Sequence, residues 1–328
     1  MTTRLDRSVL ALDEEAEIER IAKSIRDMLT RRLRRRGLVV AISGGIDSAV
    51  CAALSVRAVG KEKVLGLLMP ELDSASSTTP RGRMVAESLG IEFLTEDIAP
   101  TLRAIGCYGR RDAAIREVFP DYDGSWPHKL VIRGGAEGRV NHFALVVQRP
   151  DGRQEEARLP LHAYLQIVAA TNFKQRIRKT LEYYHADRLN YAVVGTPNRL
   201  EYDQGFFVKN GDGSADLKPI AHLYKTQVYA LAAKLGIPDE VRKAAPTTDT
   251  YSLDQGQDEF YFALPYQQMD LALWALNHGV PAAELASTLG LTPEQADFVY
   301  RDIAAKRRTT AYQHLKSLLI EPVGELPS

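Results

Sequence analysis

Cysteine is scarce in this chain, and neither sign of charge is in excess. The only two cysteines among 328 residues are Cys51 and Cys107, which excludes a disulfide scaffold and a cysteine-rich metal site and suits a reducing cytosol. Lysine plus arginine and aspartate plus glutamate each number 42, so the formal net charge is zero. Without a global basic field, the composition gives no support for nucleic acid as a partner.

Long apolar runs are also missing. No run approaches the length that spans a membrane, and the first residues, Met1 to Asp6, contain no apolar signal core. We therefore expect a soluble, cytoplasmic protein without a membrane partner. A chain of 328 residues is long enough for one large or two ordinary domains with an ample core.

A glycine turn follows the apolar run Leu38 to Val40. Its sequence, Ala41-Ile-Ser-Gly-Gly-Ile-Asp-Ser48, predicts the end of a strand, a turn and the start of a helix. Adjacent glycines let an anion approach the backbone, where unpaired N–H groups and the positive end of the helix meet it. Serine hydroxyls add donors, and Asp47 adds a carboxylate where magnesium could bridge to phosphate.

The turn lacks the lysine of a Walker loop. A Gly-Gly turn between a buried strand and a helix is common without any ligand, but six motif positions in order at such a junction favour a phosphate site. The motif S-G-G-x-D-S resembles the PP-loop of the N-type ATP pyrophosphatases. That resemblance implies that the loop holds the β- and γ-phosphates of ATP, which is broken between the α- and β-phosphates.

The rest of the first half has an alternating β/α pattern. An amphipathic helix is predicted over 13–36, and apolar runs at 38–42, 64–69 and 91–94 are separated by helix-length segments. This pattern predicts an α/β fold, a doubly wound, mostly parallel sheet with flanking helices. Ligands of such sheets bind at the carboxyl ends of the strands, where the glycine turn lies.

Glycines and prolines interrupt the pattern between about 107 and 160. We interpret this segment as a β-rich insertion with a hairpin formed by 141–148 and 153–159, accessory to substrate choice or assembly. His128 and His142 lie within it, without the neighbours that a metal site needs, and are read as structural. The prediction is one domain over 1–265 with a helical C-terminal extension over 266–328.

The parallel pattern resumes with a helix over 162–185 and a strand over 190–195. The strand is followed by Thr196 and, five residues later, by Glu201, at the expected binding edge of the sheet. Magnesium in nucleotide sites usually takes one or two carboxylates together with phosphate and water. Glu201 is therefore the candidate second ligand beside Asp47.

Three later motifs extend the resemblance. They are the loop Gly205-Phe-Phe-Val-Lys-Asn-Gly-Asp-Gly-Ser-Ala-Asp216, the helix start Leu223-Tyr-Lys-Thr-Gln227, and Ala245-Pro-Thr247. Together with the PP-loop they are similar to the NAD synthetase branch of the N-type pyrophosphatases, which has an adenine nucleotide alpha hydrolase-like fold.

This resemblance implies ATP-driven amidation of a carboxylate by ammonia through an acyl-adenylate, with nicotinic acid adenine dinucleotide as the acid. It implies ATP and Mg²⁺ as cofactors, with Asp47 and Lys225 as catalytic residues and Asp47 and Glu201 as metal ligands. The ATP contacts implied are Ser43, Gly44, Gly45, Ile46, Asp47, Ser48, Thr196, Lys225 and Thr247. The dinucleotide contacts implied are Arg176, Lys209, Asp216 and Lys306.

Two departures fall on the substrate side. The family's run from threonine to glutamate keeps only its ends, Thr196 and Glu201, and Ala305 stands where the family has a histidine before a lysine. Two other functions therefore stay open: a related ligase acting on a different carboxylate in a biosynthetic pathway, and a catalytically silent nucleotide-binding protein. Neither cysteine lies in a nitrilase-like setting, so free ammonia or a separate glutaminase partner is implied, and the family precedent is a homodimer.

Overall fold

The computed structural model describes residues 5–133, 142–245, 250–253, 256 and 261–324. The strands of the central sheet are β1 (Leu38–Ala41), β2 (Val64–Leu68), β3 (Glu92–Thr95) and β7 (Ala192–Val194). A second sheet consists of β4 (His128–Arg133), β5 (His142–Gln148) and β6 (Gln154–Arg158). The α-helices before the second sheet are α1 (Glu14–Asp27), α2 (Ile46–Val59), α3 (Thr78–Leu89), α4 (Ala99–Ala104) and α5 (Cys107–Arg116). Those after it are α6 (Leu161–Leu189), α7 (Arg199–Gln204), α8 (Lys225–Lys234), α9 (Asp239–Arg242), α10 (Tyr266–Asn277), α11 (Ala282–Leu289) and α12 (Pro293–His314).

The central sheet is parallel, with strand order β3-β2-β1-β7. Side chains of β1 alternate between its two faces, as a strand requires. Leu38 and Val40 pack into the cluster that contains α1, α2 and α8, whereas Val39 packs with α4, α5 and α6. Helices therefore cover both faces, which confirms the predicted doubly wound α/β fold and explains why the strand is apolar throughout.

The first helix begins where its sequence provides a cap. The Asp13 side chain accepts a hydrogen bond from the Ala16 N–H, and acidic residues follow in the first turn. After Asp27 the helix continues as a π-helical segment, Met28–Leu33, and ends at Arg34 with φ 53°. The amphipathic helix predicted over 13–36 is thus confirmed, apart from its change of winding in the last turns.

The insertion differs from its predicted form in two respects. Its first part is helical, because α5 begins at Cys107 and packs on α6. The hairpin predicted over 141–159 is confirmed as β5 and β6, but β4 pairs antiparallel with β5 and makes a three-stranded sheet. Leu130, Leu145 and Val147 of this sheet share a core with α5 and the start of α6. These two helices hold the added sheet, and α6 also packs on β1 of the parallel sheet.

The C-terminal helices have a core of their own. α10, α11 and α12 bury a cluster that also takes in Leu5 and Leu10 near the amino terminus and Leu200 of α7. α12 starts with a capping box between Thr292 and Gln295. The predicted helical C-terminal part is confirmed as far as His314, whereas residues 315–324 are not helical. Among all the residues that the structure describes, no helix is long and apolar enough to cross a membrane.

Candidate active site

The loop between β1 and α2 has a backbone that only glycine accommodates easily. Gly44 has φ 76°, and a Cβ at this position would lie 2.4 Å from the Thr78 carbonyl oxygen at the start of α3. Gly45 is the N-cap of α2 and provides no side chain to its first turn. The first N–H groups of a helix have no helical acceptors. Those of α2 belong to residues that line the cavity, and such groups suit an anion.

Two serines hold this loop in shape. Ser48 Oγ donates to the Gly45 carbonyl at 3.0 Å and accepts from the Ser43 N–H at 3.2 Å. The hydroxyls of Ser43 and Ser48 are themselves 3.1 Å apart. Both serines line the cavity, so the same hydroxyls that stabilise the turn are within reach of a ligand there.

Asp47, in the first turn of α2, forms an ion pair with Lys225, the first residue of α8. The Lys225 side chain is only 2 % exposed. Burial by itself would lower the pKa of Lys225, but the charges of Asp47 and Glu201 outweigh that effect and raise it. Lys225 is therefore a cation at neutral pH, fixed beside the glycine loop.

Asp270 of α10 anchors the start of α8. Its carboxylate accepts from the Lys225 N–H at 3.1 Å and from the Thr226 N–H at 2.7 Å. Burial raises the pKa of Asp270 to about 6, against the lowering effect of these hydrogen bonds. A residue 45 positions away in the sequence thus positions the backbone that carries Lys225.

Asn198 joins the two candidate metal ligands. Its Oδ1 accepts from the N–H groups of Leu200 and Glu201, at 3.0 and 3.2 Å, so its Nδ2 faces Asp47 Oδ1 at 3.2 Å. Glu201 Oε2 accepts from the Asn198 N–H at 3.1 Å, which completes a capping box at the start of α7. Asn198 is 1 % exposed. The buried side chain of Asn198 therefore links the segment after β7 to Asp47 in the first turn of α2.

This set of donors fits a magnesium ion bound together with a nucleotide. Asp47 and Glu201 provide carboxylate oxygens, and each oxygen in a hydrogen bond or ion pair keeps a second lone pair. The described residues contain no group of three or more His, Cys, Asp or Glu able to hold a metal. Two carboxylates suit Mg²⁺ that completes its shell with phosphate and water, and do not suit an all-protein cage.

A cavity of about 740 Å³ lies at the carboxyl ends of the parallel strands. Its lining brings together most of the predicted site residues: Ser43, Gly44, Gly45, Ile46, Asp47, Ser48, Arg176, Thr196, Glu201, Lys209, Lys225 and Lys306. Asp216 is not among the described residues that line it. Its carboxylate accepts from the Val193 N–H of the edge strand β7 at 2.7 Å. Thr247 lies outside the described residues.

The predicted substrate-side cations contact one another and the C-terminal helix. Arg176 Nε donates to the Lys209 carbonyl at 3.3 Å, and Lys209 Nζ donates to the Tyr312 carbonyl at 2.8 Å. Lys306 is more enclosed. It pairs with Asp302 at 2.6 Å and lies over the Tyr261 ring, 4.7 Å from the centroid. Burial lowers the pKa of Lys306, an effect that Asp302 opposes.

An imidazole lies close to the Gly205–Asp216 loop, although not at position 305. His314, the last residue of α12, makes edge contacts with the rings of Tyr202 and Phe207, with centroids 5.0 and 5.2 Å apart. Its pKa is lowered by burial and by the nearby Lys218. No local signal in the sequence ties position 314 to this loop, because the contact depends on how α12 crosses α7.

A buried ionic cluster, which was not predicted from the sequence, lies beside the cavity. Lys174 of α6 is 2 % exposed and pairs with Glu71 at 2.9 Å and Asp73 at 2.6 Å. Arg111 of α5 pairs with Asp73 as well, and Tyr108 donates to Glu71 at 2.9 Å. Lys174 and Arg111 lower the pKa of Asp73 and overcome the opposing effect of burial. The loop after β2 is thus tied to α5 and α6.

Comparison with known proteins identifies the family. The model of the family described as NAD synthase matches residues 17–117 and 153–312. The chain belongs to the NAD synthase family. As a member of it, the chain is an ATP-binding ligase of NAD biosynthesis. Residues 118–152, which include β4 and β5, lie outside the match.

Relatives and solved structures agree with this membership. An "NH(3)-dependent NAD(+) synthetase" of Rhizobium meliloti (strain 1021) is 59% identical over 97% of this chain and 95% of its own length. The NAD+ synthetase of Burkholderia pseudomallei is 25% identical, with a TM-score of 0.56 over 94% of this chain and 93% of that one. The NMN synthetase of Francisella tularensis, 22% identical, shares the fold with a TM-score of 0.62 over 95% of this chain and 99% of that one.

Proposed function

We propose that this NAD synthase family member amidates nicotinic acid adenine dinucleotide with ammonia, at the expense of ATP, and releases NAD, AMP and diphosphate. The observation that carries the proposal is the arrangement of Asp47, Glu201 and Lys225 beside the glycine loop in the lining of the cavity, with Asn198 joining the two carboxylates. The names of the similar NH(3)-dependent synthetases support ammonia as the nitrogen donor.

In the first step, a carboxylate oxygen of the acid attacks the α-phosphorus of ATP, and the bond to the bridging oxygen of the β-phosphate breaks. The carboxylate needs no general base, because it is already ionised at neutral pH. Lys225 and the N–H groups at the start of α2 stabilise the charge that develops on the departing diphosphate. Asp47 and Glu201 would hold Mg²⁺, which when bound neutralises phosphate charge.

In the second step, the nitrogen of ammonia attacks the carbonyl carbon of the acyl-adenylate. The carbon–oxygen bond to AMP breaks, one proton of the ammonia is lost, and the amide of NAD is formed. Arg176, Lys209 and Lys306 also line the cavity and would bind the anionic groups of the dinucleotide. Asp216, at the edge of β7, stays a prediction as a fourth contact. The homodimer and an ammonia-supplying partner also stay predictions.

The test is a comparison of acids. ATP, magnesium and ammonium are supplied with nicotinic acid adenine dinucleotide, with nicotinic acid mononucleotide, or with a panel of other carboxylates, while AMP and the amide product are measured. The mononucleotide is included because one solved neighbour is named an NMN synthetase. We expect AMP and NAD in equal amounts with the dinucleotide. AMP formed only with another acid would contradict the proposal, and AMP with no acid would favour a silent nucleotide-binding protein.

A further inference from the structure

Arg81 is a cation at the glycine loop to which the family resemblance assigned no role. It is the fourth residue of α3, whose first turn packs directly on Gly44. A Cβ added to Gly44 would lie 3.1 Å from the Arg81 Cβ. Arg81 lines the same cavity as the loop. The guanidinium of Arg81 therefore belongs to a helix that contacts the glycine loop directly.

The other cations around the cavity already have partners. Lys174, Lys179, Lys225 and Lys306 pair with carboxylates. Arg176, Arg178 and Lys209 each donate to a backbone carbonyl. Among the described residues, Arg81 makes neither kind of contact, and its Nε is buried without a hydrogen-bond partner. Buried polar groups in proteins are nearly always satisfied, so an orphan at a ligand cavity calls for a ligand.

We propose that Arg81 binds the diphosphate portion of ATP, and the diphosphate that leaves, as a second cation in addition to Lys225. Lys225 has its charge largely balanced by Asp47, so a polyphosphate needs further positive charge. The planar fork of arginine matches phosphate oxygens with two parallel donors, which a lysine does not offer. This inference rests on the proposed function for the presence of ATP, and it does not depend on which acid is amidated.

The experiment is calorimetric titration of the full-length protein with inorganic pyrophosphate and magnesium. Arg81→Gln removes the charge and keeps a polar side chain. Arg83→Gln is the matched control, because Arg83 lies two residues away on α3, lies over the Phe93 ring at 5.3 Å and does not line the cavity. Arg81→Lys retains the charge without the fork, and thermal melting of each variant verifies folding.

We expect Arg81→Gln to raise the Kd of pyrophosphate roughly 10- to 100-fold, as for the loss of hydrogen bonds from a charged group. Arg81→Lys should give an intermediate value, and Arg83→Gln should match the wild type. In turnover assays, Arg81→Gln should raise the KM for ATP more than the KM for the acid. Unchanged pyrophosphate affinity in Arg81→Gln, an equal loss in Arg83→Gln, or no pyrophosphate binding by the wild type would overturn the inference.

The titration separates this inference from the proposed function, because it needs no acid. If the wild type amidates none of the acids while Arg81→Gln selectively loses pyrophosphate, the substrate assignment fails and the role of Arg81 stands. If the wild type makes NAD and Arg81→Gln binds pyrophosphate normally, the role of Arg81 fails and the assignment stands.

Discussion

Single residues at this site serve both the fold and the proposed chemistry. Asp47 neutralises a buried lysine and also faces the space where phosphate and metal would bind. Gly44 brings α3 against the loop and also leaves the loop backbone open. Because these roles overlap, loss of activity in a variant is informative only when stability is measured with it.

At the residue scale, Asp47→Asn should abolish pyrophosphate release and also lower stability. The asparagine keeps the shape but loses the charge, so buried Lys225 is left without its ion-pair partner. A stranded buried group costs about 1–3 kcal/mol. Pyrophosphate release and the free energy of unfolding are measured together.

The double variant Asp47→Asn with Lys225→Met provides the control. Removing the stranded charge should recover much of the lost stability without restoring turnover. If the double variant regained turnover, or if Asp47→Asn alone kept full turnover, Asp47 would have a structural role only.

The two loop glycines should respond differently to alanine. Gly44→Ala places a Cβ against the Thr78 carbonyl in a left-handed backbone, so we expect it to destabilise the protein by about 1–3 kcal/mol and to weaken ATP binding. Gly45→Ala meets only Ser43 Oγ, at 3.3 Å, with φ −89°, and should fold normally. Thermal melting and ATP titration of both variants test this, and equal destabilisation by the two would contradict it.

At the scale of elements, the start of α8 depends on Asp270. Burial raises the pKa of Asp270 from 3.8 to about 6, so the folded state binds the proton more tightly than the unfolded state. The contribution of Asp270 to stability is therefore full below pH 4 and falls as pH rises through about 6. The difference in stability between wild type and Asp270→Asn should decline over that range, by up to about 3 kcal/mol.

Asp239→Asn is the control for that experiment. Hydrogen bonding and charge from Lys243, together with the charge of Arg242, lower the pKa of exposed Asp239, so its contribution should change in the opposite direction and at more acidic pH. Urea unfolding at several pH values measures both. A wild-type minus Asp270→Asn difference that rises between pH 4 and 6 would contradict the account.

The inserted sheet provides one wall of the cavity. Ile132, His142 and Phe143 line it, and the Phe143 ring stacks on Tyr164 of α6 at 3.8 Å. His142, which the sequence led us to regard as structural, thus lies beside the site. His128 is buried against Tyr122 and Ser252, as a structural residue would be. Lining by the inserted sheet favours a role in substrate choice over a role in assembly alone.

We predict that Phe143→Ala raises the KM for the acid several-fold with little effect on the KM for ATP, because the glycine loop is untouched. Val146→Ala is the control, since Val146 lies on the other face of β5 and packs with Val131 and Leu253. Steady-state kinetics with each substrate varied in turn tests this. A larger effect on ATP, or an equal effect of Val146→Ala, would contradict it.

At the scale of the whole molecule, local sequence signals predicted the fold and the strand, glycine turn and helix start that line the cavity. The strands around the glycine loop are short apolar runs, separated by segments long enough for a helix. Both the runs and their spacing can be read from the local sequence. Asn198 was missed, although an asparagine three residues before Glu201 is a capping-box signal at the start of a helix.

Other parts of the site could not be predicted, because they form only when distant segments pack together. Asp270 contacts the start of α8, Lys174 contacts the loop after β2, and His314 contacts Phe207. The partners in each contact are far apart in the sequence, so no helical or strand periodicity relates them. Strand β4 was not predicted, because its own short sequence has no clear strand pattern. It becomes a strand by pairing with β5. These contacts fix the backbone or the side chains around the cavity, and none of them can be recognised from a local pattern.

The measurement that tests the central claim most directly uses nicotinic acid adenine dinucleotide labelled with ¹⁸O in its carboxylate. Attack of that carboxylate on the α-phosphorus must carry one labelled oxygen into AMP when ammonia displaces it. We predict AMP with one ¹⁸O per turnover, unlabelled diphosphate and no ADP, and no labelled AMP from Asp47→Asn. Unlabelled AMP, or ADP formed together with labelled phosphate, would contradict the acyl-adenylate and with it the role assigned to this site.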